Sequence, residues 1–239
     1  MPLHRTNRGR ISPGPFARWA RAIDDVLGVL KWPVGVLSLL ALPLCLIAGW
    51  KLLVRIWHEP TPAMAFIVGL VVYFLLWYLI LRRRLFGSFF STLEHELTHA
   101  LFAILTLHRV TGLKSTFTRG GHMTYVTYGG AENWLIGLAP YFFPTVSIAI
   151  LLVLGFVPIE FHWWAEWLLG AATAYHVTST MHETHAGQTD LQRAGYLFCA
   201  LFLPTANIIS FGMIFAFSHA GWPGILRFFQ DFAPPFIDH

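Results

Sequence analysis

Charge is scarce in this chain. Of its 239 residues only 12% are charged, against 56% hydrophobic, and soluble domains ordinarily carry about twice that share of charge. The shortage excludes a sizeable soluble domain. Cysteine is scarcer still. Cys45 and Cys199 both fall inside apolar stretches, which leaves no disulfide framework and no zinc site built from cysteines. A concentrated basic surface is missing as well. The net charge of +4 suits loops and lipid headgroups and gives nucleic acid no platform. No internal repeat is evident.

What the chain has instead is apolar length. About six apolar segments, roughly 33–55, 62–81, 86–107, 133–157, 163–181 and 191–217, each come near the ~20 residues a helix needs to cross a bilayer. The expected fold class is an all-α polytopic membrane protein, integral and multi-pass. Its abundant Phe and Trp belong to spans and interfacial belts. The first long run starts near Trp32 behind a polar tail and reads as a retained anchor, not a cleavable leader. Arg5, Arg8, Arg10, Arg18, Arg21 and Lys31 precede that span, and Arg82, Arg83 and Arg84 follow the second. Both groups point to the cytoplasmic side, so the N-terminus is expected there.

The organisation follows from these shifts in composition. Residues 1 to about 15 are basic, rich in Pro and Gly, and expected to be disordered. Phe16, Trp19, Ile23, Val26, Leu27 and Leu30 then recur at helical spacing opposite Arg18, Arg21 and Asp25. That pattern suits a helix on the membrane surface or one packed on the protein's own loops. The stretch 1–31 is thus a basic tail with an amphipathic helix, 32–85 holds two spans, 86–217 forms the core, and 218–239 is an interfacial tail. Residues 109–130 differ in kind. Val110, Thr111, Thr116, Thr118, Thr124, Tyr125, Val126, Thr127 and Tyr128 favour strands, and Gly120-Gly121 and Gly129-Gly130 punctuate them. A short β-hairpin with glycine turns is expected directly after the third segment.

The third segment contains His95-Glu96-Leu97-Thr98-His99. Histidines at i and i+4 share one helical face, with the Glu beside them. That is the pattern of two zinc ligands and a general base. Ser88, Thr92, His95 and His99 form one polar stripe, while Leu93, Leu97, Leu101 and Ile104 face elsewhere. Such a stripe in a span should face the bundle interior or a wet cavity. Thr92 or Ser88 can order water or support a ligand. Glu94, on the opposite flank, reads as a structural or supporting carboxylate. Entering from the cytoplasm near Phe86, the helix puts His95 roughly 13 Å deep.

Zinc needs a third protein ligand and an open position. In the extended soluble motif a third His follows His99, but Leu105 stands at that place. The richest downstream polar cluster is His182-Glu183-Thr184-His185-Ala186-Gly187-Gln188-Thr189-Asp190. Asp190 is the best carboxylate in it, either as ligand or as N-cap of the last helix. His176, His182 and His185 are rivals. Glu132, Glu160 and Glu166 sit near segment ends.

These pieces resemble the site-2-protease family of intramembrane zinc metalloproteases. The matching parts are His95-Glu96-x-x-His99 in a span, the strand segment Thr118-Arg119-Gly120-Gly121-His122-Met123-Thr124-Tyr125, the Pro-containing Gly137-Leu138-Ala139-Pro140-Tyr141-Phe142-Phe143-Pro144, and Gln188-Thr189-Asp190-Leu191. The resemblance covers about residues 86–210. It implies His95, His99 and Asp190 as ligands of Zn2+, Glu96 as the base, and a β-element that aligns an extended substrate strand. The chain departs from the family where Thr98 replaces the usual Gly and where Leu191 follows the Asp. It also has no PDZ-like module.

The leading expectation is a zinc-dependent endopeptidase that hydrolyses a peptide bond in or near a transmembrane segment of a protein or peptide substrate. One alternative is a membrane zinc protease with Glu132 or Glu183 as third ligand. Another is a non-proteolytic scaffold or chaperone with structural zinc. A transporter is weaker, because no paired interrupted helices are evident. One conflict is geometric. If the fourth and fifth segments both cross fully, Asp190 starts at the face opposite His95, too far for one metal. Either one of those segments is partial or re-entrant, the favoured resolution, or the Asp190 loop plunges inward, or Asp190 is not the ligand.

Overall fold

The stretch read as a surface helix and the first apolar segment form one uninterrupted helix, α1 (Pro15–His58). Pro33 and Pro43 fall within it, and a membrane helix tolerates them where neighbours satisfy the freed carbonyls. At 1.5 Å per residue it is about 66 Å long, well beyond the ~30 Å hydrocarbon layer. The computed structural model describes residues 14–83, 86–116, 120–156, 162–185 and 187–232. The expected disordered tail up to residue 13, Arg84, Thr118, Arg119, Glu160 and the last seven residues lie outside the described residues, as does the side chain of Ser88.

After α1 come α2 (Met64–Leu79), α3 (Phe86–Leu105), β1 (Val110–Thr116), β2 (Gly120–Tyr125), α4 (Trp134–Leu138), α5 (Thr145–Leu154), α6 (His162–Glu183), α7 (Thr189–Ala194) and α8 (Tyr196–Gln230). Among the described residues, three helices are long and apolar enough to cross a membrane: α1, α2 with its preceding turn, and α8. The helical membrane class holds, with three such helices among the described residues, or four if a bent pair is counted as one span, where six segments were expected. The fourth segment is broken, because a turn at Ala139–Tyr141 separates α4 from α5 and the pair is bent by 77°. Pro140 and Pro144 sit at that break, where a missing N–H and a fixed φ end a helix. The third and fifth segments form α3 and α6, whose ionisable and hydroxyl residues lower their apolarity.

The chain divides into two compact units. One draws on the described parts of Met1–Val36, Arg83–Tyr141 and Ser179–Ala200. In it β1 and β2 pair antiparallel, from Val110 opposite Tyr125 to Thr116 opposite Gly120, with an irregularity between Val110 and Gly112. Gly121, Met123 and Tyr125 of β2 alternate as buried residues, as one covered sheet face requires, and both strands lie against α3. Gly120-Gly121 is thus strand and not turn. A Cβ on Gly121 would stand 2.6 Å from Thr92 Cγ2, 2.8 Å from Glu96 Cγ and 2.9 Å from the Lys114 carbonyl oxygen. The glycine serves close approach to α3.

The start of α1 belongs to this unit. Ala17, Ala20 and Asp24 are buried, while Phe16, Trp19 and Val26 are exposed. Small residues therefore face inward and large apolar ones outward. Asp24 Oδ1 accepts from Asn133 Nδ2 at 2.8 Å, and Asp24 Oδ2 accepts from His108 Nε2 at 3.0 Å. Asn133 also caps α4, its Oδ1 accepting from the Ile136 N–H. Asp24→Ala would leave two buried donors without their acceptor. The expected loss is on the order of 3 kcal/mol, read as a lower melting temperature in detergent. Parent-like melting would show that the network carries no stability.

The second unit draws on Leu37–Arg82, Phe142–Thr178 and the described part of Leu201–His239. Phe66, Leu151, Leu154, Leu169, Ile214, Phe217 and Ile225 form its core. The helix α8 is interrupted by non-helical Ala220 and Gly221. Beyond that break the stretch expected to be interfacial returns to the unit. Ile225 and Phe228 are buried, whereas Trp222, Leu226 and Phe229 remain exposed. Arg55 donates to Asp231 at 2.6 Å and fastens this return.

Candidate metal centre

On α3, His95 and His99 lie one turn apart and their ring centroids are 4.7 Å from each other. The third group arrives from far along the chain. Gln188 occupies the N-cap position of α7, and Asp190 sits in the first helical turn. Capping therefore does not occupy Asp190. Buried Leu191 and Ala194 anchor α7, which packs on α4 and ends at Gly195, whose φ of +83° suits a residue without Cβ. Asp190 Oδ2 stands 3.4 Å from His99 Nε2 and 3.7 Å from His95 Nε2. The ligating atoms of His95, His99 and Asp190 all lie within 4.8 Å of one another.

The residues fit a zinc ion. Ligands about 2.1 Å from a tetrahedral zinc stand roughly 3.4 Å apart, close to the spacing found. Asp190 Oδ1 and Glu96 Oε2 are buried without a hydrogen-bond partner among the described residues, a costly state that a bound cation and its water relieve. The donor set of two imidazoles and a carboxylate is one that zinc accepts.

His99 is almost wholly buried, and its Nδ1–H donates to the Ile136 carbonyl at 2.7 Å. That bond fixes the tautomer and leaves the Nε2 lone pair for a metal. The α4 backbone thus orients a side chain of α3. Glu96 is buried under β2 at Gly121. One residue past His95 and three before His99, it shares their side of the helix. The Tyr141 ring meets the His95 ring edge-on at 5.4 Å. Thr98 is also buried, and its hydroxyl donates to the Glu94 carbonyl at 2.8 Å. It is satisfied within its own helix.

Of the rival ligands, His182 and His185 are exposed and His176 lies in the second unit. Glu132 stands 4.0 Å from Arg193 Nε. Glu183 Oε2 comes within 3.8 Å of His95, but at Nδ1, behind the ring. None of these joins the cluster. The hydroxyl expected to support a ligand is Thr92, which donates to Glu183 Oε1 at 3.4 Å. Asp24, Asn133 and the Ile136 carbonyl escaped the sequence reading, since nothing local marks a backbone acceptor or a polar residue on the small-residue face of a helix. Comparison with known proteins finds no matching family model, no matching curated protein and no matching solved structure.

Proposed function

We propose that this protein is a zinc-dependent endopeptidase of the membrane, resembling the site-2 proteases, that hydrolyses a peptide bond in or near a transmembrane segment of its substrate. The observation that carries this reading is the convergence of His95, His99 and Asp190 to ligand spacing beside the buried carboxylate of Glu96. His95, His99 and Asp190 would hold the zinc. When bound, zinc polarises the scissile carbonyl and acidifies a water at the site.

The chain's own residues do the rest. Glu96 takes the proton that the attacking water loses and passes it to the departing amide nitrogen. Ile136 keeps His99 in its ligating tautomer through its carbonyl. A substrate helix hides its carbonyls in its own hydrogen bonds, so the segment must unwind before cleavage. The two-stranded sheet over α3 offers a strand edge along which the unwound segment can lie. In this reading α3 and α6 join the apolar helices as spans, the chain is multi-pass, and the basic residues before α1 keep the N-terminus cytoplasmic. In the same reading the fourth segment, broken at Ala139–Tyr141, does not cross fully, so Asp190 and His95 share one depth.

The test is cleavage of a panel of single-span substrates by purified protein in detergent or liposomes. Activity should vanish on zinc chelation and return with added zinc. Zinc-bound protein that cleaves none of them would favour the non-proteolytic scaffold.

A further inference from the structure

We propose that Glu183 is a positioning residue that holds His95 in its ligating orientation from behind the ring. The proposal rests on the zinc reading and assigns Glu183 a role distinct from that of a ligand.

An imidazole that binds metal through one nitrogen carries its proton on the other. An acceptor there fixes the tautomer and the ring angle and makes the ligating nitrogen more basic. His99 has such an acceptor in the Ile136 carbonyl. His95 turns Nε2 toward Asp190 and Nδ1 toward Glu183 Oε2 at 3.8 Å. At 3.8 Å the carboxylate faces the ring nitrogen, and a hydrogen bond needs the two about 1 Å closer.

The carboxylate is itself held. Glu183 is the last residue of α6. Its Oε1 accepts from Ser91 Oγ at 3.0 Å and from Thr92 Oγ1 at 3.4 Å. Ser91 Oγ in turn lies 2.6 Å from Ser179 Oγ, one turn earlier on α6. One oxygen thus anchors the group to α3, and the other is left for the imidazole. This division of labour explains why Glu183, though close to His95, stays out of the ligand cluster. The two histidines are then supported differently, His99 by a backbone carbonyl and His95 by a side chain that substitution can remove.

The experiment titrates zinc into the metal-free full chain in detergent, against a chromophoric chelator, for the parent, Glu183→Ala and Glu183→Gln. Melting of each metal-free protein is recorded alongside. Glu183→Ala should still bind about one zinc per chain, but roughly 10–100-fold more weakly. Glu183→Gln, whose amide oxygen still accepts from Nδ1–H, should recover most of that loss. Affinity that falls in Glu183→Ala while metal-free melting stays parent-like is a signature that a merely structural role would not produce. Should Glu183→Ala fail to fold, Ser91→Ala, which unties Oε1, carries the test with a smaller loss of affinity.

Parent-like affinity in the folded variants would overturn the positioning role while leaving the zinc reading intact. Complete loss of zinc in Glu183→Ala, matching His95→Ala, would overturn it in favour of direct ligation. A parent that takes up no zinc would sink the underlying reading and this proposal with it.

Discussion

Glu96→Gln should leave zinc bound and remove peptide-bond cleavage. The substitution keeps the size of the side chain and takes away only its ability to accept a proton. Glu96 is buried on the histidine side of α3, with Oε2 free of hydrogen-bond partners among the described residues. It lies outside the cluster of His95, His99 and Asp190, so metal content should match the parent. General-base catalysis by a positioned side chain is worth about 10²–10⁴ in rate, and the loss should fall in that range or drop below detection. The measurement is initial cleavage rate in liposomes with zinc content determined on the same samples. A glutamine variant as fast as the parent would remove Glu96 from the mechanism. Zinc lost together with activity would mean that Glu96 holds the metal. A structural zinc site has no use for an unligated base, so this variant also separates enzyme from scaffold.

Gly170→Val should prevent the second unit from forming. A Cβ at Gly170 would stand 1.9 Å from the Phe66 carbonyl oxygen, and one at Gly69 would stand 2.0 Å from the Trp167 carbonyl oxygen. Here α2 and α6 cross with each glycine against the other helix's backbone, the arrangement small residues permit in membrane helix packing. Backbone atoms cannot swing aside as a flexible side chain would. Overpacking ordinarily costs about 1–3 kcal/mol, and a clash of this depth belongs at or above the upper end. The expected result is little monodisperse protein in detergent and a large fall in melting temperature. Gly137→Ala is the control, since nothing lies within 4 Å of its added Cβ and alanine is the better helix former. Normal folding of Gly170→Val would show that α2 and α6 do not cross this closely.

The histidine pair was legible because helical periodicity alone sets it. Nothing beyond the spacing of His95 and His99 is needed to put them on one face. Asp190 was legible only as a candidate, because cap and ligand use the same residue type at the same kind of place. The structure adds the packing of α7 on α4, which sets Asp190 Oδ2 3.4 Å from His99 Nε2 and which no local pattern records. Strand propensity revealed the hairpin, yet Gly120-Gly121 was assigned to a turn. A glycine chosen for close approach looks, in sequence, like one chosen for a turn. Asp24 was illegible for a different reason. Its partners His108 and Asn133 lie 84 and 109 residues away, and no local pattern records such a pairing. The surface helix and the first span form one helix although Gly28 and Pro33 stand between them, so the break these residues offer is not used.

The most direct test of the account is the zinc content of detergent-purified protein for the parent, His95→Ala and Asp190→Ala. The account predicts about one zinc per chain in the parent and none retained through purification in either variant, since each removes one of three protein ligands. Asp190→Ala that keeps its zinc as tightly as the parent would contradict this, and with it the assignment of Asp190 as third ligand on which the proposed chemistry rests.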